Sequence, residues 1–237
     1  MQEFVNDVNS YVWRYWLVGL CLGAGLLFSI VTRFLQVRHF RQMLRLVSSG
    51  KASDRGISPF QALAVSLSGR VGTGNIAGVA AAIGFGGPGA VFWMWIVAFF
   101  GAATAYVESA LSQIYKEELE GQYRGGPAFY IEKAMGQQWY AWIFAFATIL
   151  ATGLLLPTVQ ANAISTSVEI AFGSKGSLET FLGTISYTKL LAAIFVVTGF
   201  GFIIFGGVKR IARVTQVIVP FMALSYIVIA LGIILIN

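Results

Sequence analysis

The stretch SGRVGTGNIAG, residues 68–78, lies inside an apolar segment that is long enough to cross a membrane. It contains four glycines, and each interior glycine costs a helix about 1 kcal/mol relative to alanine. A bilayer offers no water to a loosened backbone, so a helix broken at this depth must line a buried cavity. We therefore predict that one spanning helix, Phe60–Phe85, is interrupted, with its second half beginning near Gly74 and Asn75.

Such a break exposes backbone N–H groups, which carry partial positive charge, and carbonyl groups, which carry partial negative charge. The N–H groups at the start of the second half-helix, together with its dipole, can bind a carboxylate. The carbonyl groups at the end of the first half-helix suit a hard cation such as sodium. Thr73 and Asn75 add a hydroxyl and an amide. An amino-acid zwitterion bound together with a sodium ion would satisfy both sets of groups.

Other interpretations of the glycines remain open on the residues alone. The small residues could serve close helix packing, or the irregular backbone could form a channel constriction. A dinucleotide fingerprint is disfavoured, because the spacing from Gly72 through Gly74 to Gly78 is one residue too long and no strand precedes it. We expect Arg70, inside the same segment, to form an ion pair or to extend toward water rather than to act as a gate.

The composition indicates a polytopic membrane protein. Apolar residues make up 57% of the 237 residues, charged residues only 11%, and the mean hydropathy is +0.75. A net charge of +6 could suggest nucleic acid, but the basic residues cluster between apolar blocks, as in cytoplasmic loops. Cys21 and His39 are the single cysteine and histidine, so neither an internal disulfide nor a Cys/His zinc site is expected.

Six apolar segments are predicted to span the membrane, and the second contains the glycine cluster. They are Trp16–Phe34, Phe60–Phe85, Ala90–Ile114, Trp139–Gln160, Leu190–Val208 and Val214–Ile236.

The basic residues predict the orientation of these segments. Twelve of the 16 Lys and Arg side chains lie in three alternate connections, at 33–58, 115–138 and 209–213. The positive-inside rule places these connections in the cytoplasm and the N-terminus outside. Six crossings then return Asn237 to the outside.

Three further segments carry predictions. Ala128–Met135, after a Gly-Gly-Pro turn, has helical spacing and could lie on the membrane surface. The polar segment Ala171–Thr188 is expected to be a loop, with one helical turn around Ser177–Leu182. The sequence stops within or beside the last apolar segment, which suggests part of a longer protein.

Three motifs resemble one known family. Residues 86–101, GGPGAVFWMWIVAFFG, are similar to the signature of the bacterial and archaeal sodium:alanine (alanine or glycine:cation) symporters. Val71–Val79 and Gly121–Pro127 resemble the same family, and the resemblance covers essentially the whole chain. It implies an all-α integral membrane protein with a leucine-transporter-like fold of two inverted five-helix repeats and one extra N-terminal helix.

On this basis residues 1–58 would contain the extra helix and a basic segment, and residues 59–237 the first repeat, with the second repeat missing. The resemblance also implies a substrate site at Thr73, Gly74 and Asn75. It implies that the backbone carbonyls of Ser68 and Val71 bind sodium, with further ligands from the missing half. Gln160, in a motif similar to the family's, could hydrogen-bond the amino acid, or it could be a helix-packing amide.

The predicted function is sodium-coupled symport of a small neutral amino acid, alanine or glycine. Sodium is the coupling ion and no other cofactor is expected, nor is an enzyme activity or a nucleic-acid partner. Sodium is favoured over protons because the break has no acidic residue, although Glu108 and Glu169 could in principle carry protons. A channel or pore subunit and an inactive truncated membrane protein are the alternatives.

Overall fold

The computed structural model describes residues 2–50, 56–119, 121–180 and 183–236. Within these ranges, five helical stretches are long and apolar enough to cross a membrane: Glu3–Val31, Gly89–Ile114, Gln138–Phe172, Tyr187–Ile204 and Gly207–Ile236. Large apolar side chains cover their outer faces, as contact with lipid requires. Several sequence predictions concern positions outside the described residues: Lys51, Arg55, Leu182 and Asn237.

The helices follow one another through the chain with few irregular connections. In order, they are α1 (Gln2–Val12), α2 (Tyr15–Val31), α3 (Leu35–Arg38), α4 (Phe40–Ser49), α5 (Pro59–Arg70), α6 (Val79–Gly86), α7 (Gly89–Ile114), α8 (Pro127–Met135), α9 (Gln138–Thr148), α10 (Leu156–Phe172), α11 (Tyr187–Ile204) and α12 (Gly207–Ile236). Two segments have π-helical geometry, Gly74–Gly78 and Ile149–Leu155.

The predicted interruption of the second crossing is confirmed. Ser58 and Gln61 form a reciprocal capping box that starts α5, with Pro59 in its first turn. The helix ends at Arg70, and Val71 has extended backbone with φ −105° and ψ 111°. Helical geometry resumes with the π segment at Gly74 and continues into α6.

The chain divides into two compact units. The first comprises Met1–Leu46 with Ala80–Phe144, and α2 packs along α7 within it. Gly25 lies so close to Phe100 that an added Cβ would stand 2.8 Å from the Phe100 Cβ atom. This glycine therefore permits the close approach of the two helices.

The second unit comprises Val47–Val79 with Ala145–Asn237, and it contains the interrupted helix. Here α5 packs along α12, and α10 packs along α11. The buried residues of the first pair are small, with Ala64 on α5 and Ala212 and Val219 on α12. Small side chains allow membrane helices to approach closely, and this packing fixes the first half of the broken helix.

Two short antiparallel hairpins add strands to an otherwise helical chain. The first consists of β1 (Glu117–Leu119) and β2 (Gln122–Arg124), and the second of β3 (Ser177–Thr180) and β4 (Gly183–Ser186). The expected helical turn around Ser177 is therefore wrong, because those residues pair as a strand. The helix expected at Ala128–Met135 is confirmed as α8.

The fourth crossing differs from its predicted limits. Its helical stretch runs from Gln138 to Phe172, beyond the predicted end at Gln160. The polar residues between Gln160 and Glu169 hid this extension, because they lower the apolar content while remaining compatible with a helix.

Candidate functional site

The interrupted helix meets the fourth crossing at the break. The backbone N–H of Thr73 donates a hydrogen bond to Oε1 of Gln160 at 3.3 Å, between part-buried residues 87 positions apart. A Cβ atom at Gly72 would stand 2.6 Å from Nε2 of the same amide. The missing side chain at Gly72 therefore leaves the volume that the Gln160 amide occupies.

The two π-helical segments flank this contact. One begins at Gly74, directly after Thr73, and the other ends at Leu155, five residues before Gln160. Pro157 has no N–H to donate to the preceding turn, and the helix widens before it. Inserted π turns are frequent at functional sites. Pro157 is the sequence feature that marks the second π segment. A proline alone, however, predicts only a kink in the helix.

The carbonyl groups at the end of α5 are the ones that were predicted to bind a cation. The N–H of Val71 donates to the carbonyl of Leu67 at 2.9 Å. Among the described residues, no hydrogen bond is donated to the carbonyl oxygens of Ser68 or Val71. The Ser68 hydroxyl donates to the carbonyl of Val65 at 2.7 Å. The two carbonyls proposed for sodium are therefore available as ligands.

The anion side is more occupied than the sequence suggested. Besides the Thr73 N–H bonded to Gln160, the N–H of Asn75 donates to the carbonyl of Gly72 at 3.1 Å. The N–H of Gly74 has no acceptor among the described residues. A carboxylate at the break would therefore meet the Gly74 N–H first, and would compete with Gln160 for that of Thr73.

Arg70 is exposed at the last residue of α5. A positive charge at a helix C-terminus interacts favourably with the exposed carbonyl groups there. Within the described part of the chain Arg70 makes no ion pair, so the ion pair suggested for it is not observed there.

Glu169 is engaged in holding the second hairpin to the helices beside it. Its Oε1 accepts a hydrogen bond from the Ser186 hydroxyl at 2.7 Å, and its Oε2 pairs with Nζ of Lys189 at 2.9 Å. The Ser186 oxygen also accepts the N–H of Lys189 and so caps α11. These partners give Glu169 a structural role, which weakens its candidacy as a proton carrier.

Glu108 lies near Tyr130 of α8. Burial raises the pKa of the Tyr130 phenol above its usual value, and the negative charge of Glu108 adds to that increase. The described residues contain no group of three or more His, Cys, Asp or Glu side chains that could hold a metal.

In the described part of the chain, five apolar helical stretches long enough to span a bilayer, together with a helix interrupted at a polar break, indicate a multi-pass membrane protein of the kind that secondary transporters form. The chain belongs to the sodium:alanine symporter family, whose sequence pattern matches residues 1–237. This confirms the resemblance of the three motifs.

Relatives with curated names are similar over most or all of the chain. One from Bacillus subtilis (strain 168), "Putative sodium/proton-dependent alanine carrier protein YrbD", is 53% identical over 100% of the chain and 46% of its own length. Another from the same organism, "Probable sodium/glutamine symporter GlnT", is 41% identical over 100% of the chain and 47% of its own length. The "Sodium/proton-dependent alanine carrier protein" of Bacillus sp. (strain PS3) is 45% identical over 82% of the chain and 41% of its own length.

The chain thus spans about half the length of the curated relatives that it matches. All three names describe transporters rather than enzymes.

Proposed function

We propose that this chain is part of a sodium-coupled symporter that carries alanine or glycine across the plasma membrane, with its N-terminus outside. The observation that carries the proposal is the contact of Gln160 with the backbone break at Gly72 and Thr73. It joins two crossings at a point where peptide groups of both signs are exposed. Membership of a family named for sodium and alanine supports the same function.

Each predicted site residue has a role in this proposal. The substrate carboxylate binds the Gly74 N–H and the Asn75 side chain, with the Thr73 hydroxyl beside them. When the Gln160 amide releases the Thr73 N–H, it forms a hydrogen bond with the substrate instead. The carbonyls of Ser68 and Val71 coordinate sodium, and the rest of the longer carrier supplies the remaining ligands.

The leucine-transporter-like arrangement fits the described helices. After residues 1–58, which hold the extra helix, the chain makes five crossings between 59 and 236. They are the interrupted helix, Gly89–Ile114, Gln138–Phe172, Tyr187–Ile204 and Gly207–Ile236. Five crossings beginning with an interrupted helix are what the first repeat of that fold requires.

Alanine is the favoured substrate. Two of the relatives named above are alanine carriers, including the one that is 53% identical, whereas the glutamine symporter is 41% identical. The same alanine-carrier names mention protons as well as sodium. We propose sodium, because the break offers uncharged carbonyl ligands and no carboxylate.

Uptake of labelled alanine into proteoliposomes tests this function, using the full-length carrier that contains this chain. Accumulation should require an inward sodium gradient and should persist when a protonophore removes the proton gradient. Asn75→Ala should lower uptake strongly without reducing the amount of inserted protein. Uptake that is unchanged when choline replaces sodium would exclude the proposed coupling.

A further inference from the structure

A basic amphipathic helix follows the first membrane-spanning helix. Between Arg33 and Gly50 the sequence contains four arginines and no Asp or Glu. On α4 the apolar residues Phe40, Met43 and Leu44 recur at helical spacing, and Arg41 and Arg45 lie on the other side. This charge pattern is typical of helices that lie at a membrane surface.

The end of α2 turns the chain away from the direction of the span. The N–H of Phe34 donates to the carbonyl of Ser29 at 2.7 Å, and that of Arg33 to Ile30 at 2.9 Å. These two bonds form a Schellman motif. Arg33 and Phe34 both have left-handed backbone, with φ of 54° and 51°, which side chains with a Cβ adopt rarely. This turn ends α2, and α3 does not continue it.

A buried hydrogen bond holds α3 at this position. Gln36 donates from Nε2 to the hydroxyl oxygen of Ser29 at 3.0 Å, and Ser29 is fully buried in α2. The Ser29 hydroxyl donates in turn to the carbonyl of Gly25 at 2.8 Å. Because α3 also contacts α7, the start of α4 is fixed beside the ends of two crossings.

The two faces of the helix match the two layers of a membrane interface. Phe40 and Leu44 are 59% and 58% exposed, although both are strongly apolar. Arg41 and Arg45 are four residues apart on α4 and so lie on one side of it, and Arg38 precedes them at the end of α3. Guanidinium groups bind phosphate oxygens in a bidentate manner, and anionic lipids attract basic segments next to a span.

We propose that α3 and α4 form an in-plane membrane helix that binds anionic phospholipid headgroups. The apolar face, Phe40 with Met43 and Leu44, enters the acyl-chain boundary. The arginine side chains of Arg38 and Arg41 bind the phosphates. The occupant is a lipid, because only three residues separate α3 from the end of α2 and the charge of these helices is complementary to that of anionic headgroups.

The first experiment measures the depth of each face in bilayers, in the whole chain with Cys21→Ser removing the exposed native thiol. A fluorophore is attached after Phe40→Cys on the apolar face or, as the matched control, after Gln42→Cys on the polar face. Brominated acyl chains should quench the label at residue 40, and a water-soluble quencher the label at residue 42. Equal quenching of both labels from water would overturn the proposal. Protection of the label at residue 40 from both quenchers would also overturn it, because protein would then cover that face.

The second experiment measures headgroup preference with the same label at residue 40. Quenching by brominated phosphatidylglycerol is compared with quenching by brominated phosphatidylcholine. The ratio should favour phosphatidylglycerol and fall about fivefold for each of Arg38→Gln and Arg41→Gln at low ionic strength. The paired changes Arg14→Gln and Lys175→Gln remove two positive charges elsewhere and should leave the ratio unchanged. An unchanged ratio in the α3–α4 variants, or an equal fall in the control, would overturn the lipid assignment.

Discussion

At the scale of single residues, Gly72 and Gln160 depend on each other. The amide of Gln160 occupies the space that a side chain at Gly72 would need, and it accepts the N–H of Thr73. An intramolecular hydrogen bond of this kind contributes about 1 kcal/mol. The contact is therefore weak enough for a substrate to replace it, as the proposed site requires.

Gly72→Ala should disturb this contact with little effect on stability. The added methyl group displaces the end of a flexible side chain rather than backbone, so we expect uptake of alanine to fall several-fold while the unfolding temperature changes little. Gly69→Ala is the matched control, because nothing lies within 4 Å of a Cβ atom at that position. Equal uptake by the two variants would contradict a role for the contact.

Substitutions of Gln160 can separate the effect of its side-chain size from that of its hydrogen bonds. Gln160→Leu keeps the approximate size but removes both polar groups, so binding of alanine should weaken about tenfold. Gln160→Glu retains an acceptor for the Thr73 N–H but brings a negative charge close to a bound carboxylate, and should weaken binding further. Displacement of labelled alanine from purified carrier measures both, and unaltered affinity in either variant would argue for a packing role.

The residues of the break could be predicted from the sequence, whereas their partner could not. The free-energy cost of glycines in a helix, and their position within an apolar segment, were sufficient to predict an interruption. It was located at Ser68, Val71, Thr73 and Gly74. The 87-residue separation between Thr73 and Gln160 gives no local pattern, and only the family resemblance pointed to that glutamine. The capture of the Thr73 and Asn75 N–H groups by internal acceptors also depends on folded geometry.

At the scale of helices and strands, close packing concentrates at small residues. The approach of α2 to α7 requires a glycine at residue 25, because Phe100 backbone atoms lie 3.0 Å from the position of an added Cβ. Gly23, two residues earlier, has open space at the same position. The two glycines thus differ in function although they share one apolar segment.

Gly25→Ala should destabilise the first unit by about 1–3 kcal/mol, because backbone atoms of α7 must move to accommodate the methyl group. Gly23→Ala should be neutral or stabilising, since it adds helix propensity without a clash. Thermal unfolding in the same detergent compares the two variants. A lower midpoint for Gly23→Ala than for Gly25→Ala would contradict the described packing.

Ser186→Ala should loosen the second hairpin and the start of α11. It removes the cap on the Lys189 N–H and the hydrogen bond to Glu169, and loss of such a cap costs about 1 kcal/mol. Hydrogen exchange should accelerate in β4 and the first turn of α11. Ser177→Ala, on the paired position of β3, is the control. Equal acceleration by both changes would contradict the role given to Ser186.

Long apolar runs made the crossings predictable, and short polar elements were not predictable. The hairpins consist of three- and four-residue strands without apolar alternation, so nothing in β1 or β3 distinguishes them from loops. The π geometry of Ile149–Leu155 is only partly predictable, because Pro157 after it indicates a disturbed helix but not its type.

At the scale of the whole molecule, the chain spans about half the length of the curated relatives named above. In a carrier of two inverted repeats the site lies where the repeats meet, and the ligands from one repeat are insufficient. We therefore expect the purified 237-residue chain to insert in liposomes without saturable, sodium-dependent alanine uptake. Such uptake by this chain alone would contradict the proposed architecture.

We propose above all that the unwound segment at Val71 and Gly72 forms a binding site for substrate and sodium. An experimental structure of the full-length carrier with alanine and sodium tests it most directly. We predict alanine density with its carboxylate within hydrogen-bond distance of the Gly74 N–H, and a sodium ion near the carbonyls of Ser68 and Val71. A continuous helix from Phe60 to Phe85, with alanine bound elsewhere, would contradict the account.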